Sequence, residues 1–183
     1  IKYSISTIVR NQGESLKKLS VDVEYYPIIG KGLLGYGRSI FRLKRFLKRR
    51  AYDLVHAHYS LSAISAALAV PEKIPLVCSL MGSDTQVKGL WSWLIRWFAK
   101  HRWKVVIIKS VSMNRRLGLR APFVLPNGVN LEEFKPVGKL EAREKIGWDL
   151  DKKYVLFLAK PERQEKNFVL AEESVSRVDV SGV

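Results

Sequence analysis

The segment KPERQEKN, residues 160–167, carries the most suggestive chemistry in the chain. It follows an apolar run, KYVLFLA (153–159), and precedes a stretch that reads as a helix from about Asn167. Arg163 and Lys166 then fall at a helix N-terminus, where backbone N–H groups and two cations can together hold a diphosphate. The alternative is a solvated charged loop in which Glu162 and Glu165 pair with the cations locally.

A second group lies earlier. LMGSDT (80–85) follows the buried-strand pattern PLVCSL (75–80), which places Gly82, Ser83 and Asp84 at the carboxyl edge of a sheet, where α/β proteins bind ligands. The same residues also suit an ordinary strand-to-helix loop with Ser83 or Asp84 as a cap. In YDLVHAH (52–58), His56 and His58 occupy alternate strand positions and so share a face. A metal there would need further ligands, and Cys78, His101 and scattered carboxylates show no recognisable metal spacing. No Gly-x-Ser-x-Gly nucleophile elbow is present.

These groups need a scaffold, and the pattern supplies one. A helix is expected around Ile5–Leu19 and a strand at VDVEYYPI (21–28); the glycines of GKGLLGYG (30–37) should break regular structure before a helix from about Arg38 to Arg50. Strand and helix then alternate: LSAISAALAV a small-residue helix, LWSWLIRWFAKH a tryptophan-rich one, KVVII (104–108) a strand, SMNRRLG helical, PFVLP a strand. Continuous apolar strands between helices predict a parallel sheet covered on both faces, a Rossmann-like α/β layer. In LPNGVNLEEFKP (125–136), Asn127 and Gly128 are expected to form a tight turn. One short helical turn should follow, capped by Asn130 and stopped by Pro136. After it comes a charged helix in KLEAREKIGWDLDKK, then the strand 153–159 and a helix, the opening βα unit of a second domain.

Composition narrows the class. The 183 residues are 47% hydrophobic, enough for one good core, and 32 Lys and Arg against 17 Asp and Glu leave a formal charge of +15. An anionic partner is implied: nucleic acid, an acidic membrane surface or a phosphorylated small molecule. The helices RSIFRLKRFLKRR and WSWLIRWFAKHRWK each combine an apolar stripe with basic side chains, which serves core packing or peripheral docking on an anionic membrane. The single Cys78 excludes an internal disulfide and fits a reducing, cytoplasmic setting. The longest charge-free run, 54–71, contains two histidines together with Ser60, Ser62 and Ser65 and reads poorly as a membrane span, and the N-terminal residues do not read as a secretory signal.

Taken in order, YDLVHAHYSLSA, PLVCSLMGSD, VLPNGVNLEEFKP and EAREKIGWDLDKKYVLFLAKPERQEKN resemble the family-4 type of glycosyltransferase with the two-domain GT-B fold. The resemblance implies an N-terminal acceptor-side domain at 1–137 and the start of a donor-binding domain at 138–183. It also implies a first strand and glycine-rich loop before Ile1, and a Glu-x7-Glu element beyond Val183, so that these residues alone would not catalyse transfer. The activity implied is retaining transfer of a sugar from a nucleotide-sugar donor to a glycan or lipid-linked acceptor in envelope or exopolysaccharide assembly, without a metal or other cofactor. His58, Gly82, Ser83 and Asp84 would line the acceptor cleft. Asn127, Gly128, Phe134 and Pro136 would form the interdomain hinge. Arg163 and Lys166 would bind the donor diphosphate; they are three residues apart where the family spaces its pair by about five, which leaves Lys160 as a competitor for the first role. Met81 stands where the family commonly has histidine. Two other readings compete: a basic nucleic-acid-binding α/β module, although no known nucleic-acid motif is visible, and another GT-B enzyme such as a sugar-nucleotide epimerase, which would lack the PNGV element.

Overall fold

A computed structural model describes residues 5–30 and 32–178. Two compact units divide after Leu131: Ile1–Leu131 and Glu132–Val183.

The first unit is built on four parallel strands, β1 (Val55–His58), β2 (Leu76–Ser79), β3 (Val105–Ile108) and β4 (Phe123–Val124), adjacent in chain order. Their register aligns His58 with Ser79, Ser79 with Ile107 and Ile107 with Phe123, so the strand ends are level. Helices α3 (Ser60–Ala69), α4 (Leu90–His101) and α5 (Val111–Leu117) make the crossovers. Each crossover moves one strand along in the same direction, and right-handed connections then put all three helices on one face of the sheet. The parallel α/β layer expected from the apolar strands is therefore present.

The core follows from side-chain size. Helix α3 contributes alanines (Ala63, Ala66, Ala67 and Ala69 are buried), which lets it lie close to the sheet, while Ile95 and Phe98 of α4 and Leu117 of α5 fill the remaining space. The indole of Trp103 packs in this core and donates to the Ala63 carbonyl at 3.3 Å. Arg102 closes the C-terminal end of α3, donating to the carbonyls of Ala67 (2.7 Å) and Val70 (3.1 Å) and pairing with Glu72. The exposed C=O groups of a helix end accept such a guanidinium well.

Two expectations near the N-terminus are corrected. Residues 21–28 form no strand: the segment has no ladder partner and serves as a strap. The Tyr25 ring crosses α1 (Thr7–Lys18) at Gly13, where an added Cβ would stand 2.0 Å from the phenol oxygen. Tyr26 packs at a tilt against Phe46, and Asp22 and Glu24 pair with Arg50. Helix α2 (Gly32–Phe46) begins six residues before the expected Arg38 and ends at Phe46, short of the expected Arg50, and takes in the glycines that were to interrupt it. Gly35 is needed for approach, since a Cβ there would lie 2.7 Å from the Gly30 carbonyl carbon, and Gly30 sits at φ +124°.

The second unit contains α6 (Lys139–Ile146) and α7 (Phe168–Ser176), neither with a buried residue. The expected strand at 153–159 is not formed. Without a neighbouring strand to complete a ladder, the apolar run stays extended and open, with Leu158 87% exposed. Local contacts hold the unit instead: Trp148 stacks on Tyr154 at 4.2 Å, and the Arg143 guanidinium gathers the carbonyls of Leu150 and Lys152. No helix among the described residues is long and apolar enough to cross a membrane.

The glycines of α2 separate two effects. Gly35→Ala should destabilise the first unit by about 1–3 kcal/mol through the backbone clash, whereas Gly37→Ala, which meets open space, should stabilise it by about 0.5–1 kcal/mol through helix propensity. Urea denaturation of both variants measures the pair; equal and opposite signs to these would refute the packing assigned to Gly35.

Candidate functional site at the carboxyl edge of the sheet

The strands of the first unit end together, and their loops carry most of the polar side chains that the core does not use. His56 and His58 stack on each other at 4.3 Å, as alternate positions on one strand require. His56 Nε2 shares a 2.8 Å hydrogen bond with Ser79 Oγ on β2. Among the described residues, His58 Nδ1 is buried with no hydrogen-bond partner, as is the hydroxyl of Ser60 two residues on.

Burial holds both imidazoles neutral. The pKa of His56 is lowered to about 4 by desolvation and then by the Lys109 charge, and that of His58 to about 4 by desolvation, His56 and Lys109. Lys109, immediately after β3, is itself lowered by burial. A neutral histidine pair beside a partly buried cation can accept hydrogen bonds from hydroxyl groups and attract an anionic group. Lys109 was not among the sequence candidates, although its place directly after the KVVII strand marks it as a residue of this edge.

Asp84 organises the loops. Its carboxylate is 1% exposed and accepts from the backbone N–H groups of Ser60 (3.0 Å), Met81 (2.9 Å) and Gly82 (2.9 Å). Desolvation raises its pKa while those donors pull it down. It thus caps the first turn of α3 from a different loop and ties the end of β1 to the loop after β2. This cap lies on the earlier helix α3 and is not the cap of the following helix that the sequence offered. Gly82 lies at φ +116°, a conformation that a side chain would strain, and Ser83 presents an exposed hydroxyl at the start of a 3-10 turn, Ser83–Thr85, beside α5. Tyr59, at φ 80°, is a non-glycine residue in the same unusual territory, held by its N–H bond to the Ser79 carbonyl (2.9 Å). His58, Gly82, Ser83 and Asp84 are therefore gathered at one edge. No group of three or more His, Cys, Asp or Glu among the described residues could hold a metal ion.

The PNGV segment differs from expectation. Residues 125–130 run without a turn, and neither Asn127 nor Gly128 takes a positive φ. The chain turns later, at Leu131–Glu133, where the two units divide. Asn127, Gly128 and Pro136 are exposed, and Phe134 keeps 61% of its surface in solvent.

In the second unit, Arg163 precedes a 3-10 turn, Gln164–Lys166, which leads through Asn167 into α7. The Arg163 N–H bonds the Lys160 carbonyl (3.1 Å) and the Lys166 N–H bonds the Arg163 carbonyl (2.9 Å), so the three basic residues follow one another on consecutive turns. Arg163 Nε donates to Glu165 at 2.7 Å, the local pairing that was the alternative for this loop. All four side chains are exposed.

A parallel α/β layer with a polar, partly desolvated strand-end edge defines a Rossmann-like domain. The chain belongs to Glycosyltransferase Family 4, which it matches over residues 5–133. Among curated proteins it is 31% identical over 150 residues to TuaC of Bacillus subtilis, named as a teichuronic acid biosynthesis glycosyltransferase, covering 75% of this chain and 38% of that one. It is 30% identical over 165 residues to an Escherichia coli protein named UDP-Gal:alpha-D-GlcNAc-diphosphoundecaprenol alpha-1,3-galactosyltransferase, covering 79% of this chain and 42% of that one. The chain thus spans about two-fifths of the length of these relatives.

Two measurements test the edge. In the unfolded chain the imidazoles protonate near pH 6.5, in the folded one only near pH 4, so stability is present above the first value and is lost as pH falls through that window. The loss should be on the order of 3 kcal/mol for each imidazole, and His56→Gln/His58→Gln should flatten it in denaturation series at stepped pH. Asp84→Ala, which orphans three donors, should lower stability by about 3 kcal/mol.

Proposed function

We propose that the chain is the acceptor-side layer, with the beginning of the donor-side domain, of a retaining glycosyltransferase that takes a sugar from a nucleotide-sugar and places it on a glycan or lipid-linked acceptor. Membership of Glycosyltransferase Family 4 carries the proposal. The printed name of the Escherichia coli relative supports both substrate classes, a UDP-sugar donor and a diphosphoundecaprenol-linked acceptor.

The roles follow from charge and position. Acceptor hydroxyls would meet the carboxyl edge, where neutral His58 offers a lone pair and Ser83 a hydroxyl, on a backbone fixed by Asp84. The segment Asn127–Pro136 would serve as the connection between domains. On the donor side the developing charge is on the departing diphosphate, and Arg163 and Lys166 would stabilise it electrostatically, with Lys160 as the competitor for the first place. A guanidinium and an ammonium can do this without a metal ion, and we expect no metal or other cofactor. Arg163 would exchange Glu165 for the diphosphate when the donor arrives, because a bidentate dianion competes well with one exposed carboxylate.

The full-length protein, assayed with a panel of nucleotide sugars and a diphosphoundecaprenol-linked acceptor, should transfer one sugar with retained anomeric configuration. Arg163→Ala and Lys166→Ala should each lower kcat by about 10²-fold or more. A larger loss in Lys160→Ala than in Arg163→Ala would move the first cation to Lys160. The absence of both transfer and donor hydrolysis with every donor of the panel would refute the proposal.

A further inference from the structure

Two helices of the first unit keep outward faces that the core does not use. On α4, Ser92, Ile95 and Phe98 are buried, while Leu90 (73% exposed), Trp93 (51%) and Trp97 (42%) follow each other one turn apart on the opposite side. Arg96 and Lys100 flank that stripe and are exposed. On α2, Leu34 and Phe41 (76% each) stand two turns apart among exposed Arg38, Arg45 and Lys48, opposite the buried Leu43.

The cations have few acids near them in sequence. No Asp or Glu occurs from Tyr25 to Tyr52 or from Thr85 to Leu131. The acids that do reach this side, Asp22, Glu24 and Glu72, are engaged by Arg50 and Arg102. Helix α3 lies beside both α2 and α4. Where their ends converge, a groove of about 460 Å³ is lined by Lys44 of α2, Lys48 just after it, Leu68 of α3 and Arg102 after α4. Leu68 is exposed in it.

Phosphate binding alone would explain the lysines and arginines but not the leucines and paired indoles set among them. Aliphatic and indole side chains on a helix with cations around them match the boundary between lipid headgroups and acyl chains. A basic rim matches an anionic leaflet, at which each nearby cation adds attraction within a Debye length.

We propose that the α2–α3–α4 face docks on an anionic phospholipid bilayer, with Leu90, Trp93 and Trp97 seated at the headgroup boundary and the cations of α2 on lipid phosphates. Docking of this kind holds whether or not the transferase reading does. It would bring a lipid-linked acceptor to the enzyme by confining both to one surface.

Flotation of the full-length protein with vesicles tests it without any sugar donor. Binding is expected to mixed phosphatidylglycerol–phosphatidylcholine vesicles, weakened by salt, and not to pure phosphatidylcholine. Trp93→Ser/Trp97→Ser should lower partitioning about tenfold in protein whose circular dichroism shows it folded, and Lys44→Gln/Arg45→Gln/Lys48→Gln should lower it about tenfold or more and flatten the salt dependence. Failure to float, equal binding to neutral vesicles, or variants that bind like the parent would overturn the proposal. So would binding of a single-stranded polynucleotide that both variant sets weaken while vesicles leave the protein behind.

Discussion

A single buried carboxylate sets the geometry on which the rest of this edge depends. Asp84 comes from the loop after β2, yet its oxygens are spent on the first turn of α3 and on its own loop. Local caps use a side chain just before the helix, and here Tyr59 occupies that place and cannot accept a bond from the helix donors. The missing cap is supplied across the loops, and the two loops become one rigid piece. The stacked histidines sit at the end of β1 directly before that piece, so their orientation is inherited from it.

Desolvation governs the electrostatics of the same place. Two imidazoles in contact could not both carry charge beside Lys109, and burial resolves the conflict by keeping them neutral. The second unit works differently. The basic residues of 160–167 are exposed and Arg163 is paired locally, so their strength comes from number and spacing, and a multiply charged ligand can displace the carboxylate on Arg163.

Much of the first unit was legible because its signals were redundant. The strands at VHAH, LVCS and VVII are short apolar runs between helices of strong period, and each later element agrees with its neighbours. Residues 21–28 misled because alternation in VDVEYYPI is also what a strap requires: its tyrosines grip α1 and α2, and its acids grip Arg50. Glycine in α2 misled because a packing constraint on Gly35 cannot be told from a breaker without knowing that Gly30 faces it. At the site, Gly82, Ser83 and Asp84 were recognisable by position, but the partner of the Asp84 carboxylate lies 24 residues away. Lys109 and the strain at Tyr59 depend on neighbours in space, and one-dimensional spacing does not encode them.

The order of the sheet has a consequence for how the chain is made. Because β1 to β4 lie side by side in the order of synthesis, every new strand adds to an edge already in place, and each helix covers the strand pair that it joins. Loop closures stay short, and no strand must wait for one made much later. The first unit can accordingly grow vectorially as it leaves the ribosome, with Asp84 available to lock α3 well before the basic segment at 160–167 has been translated.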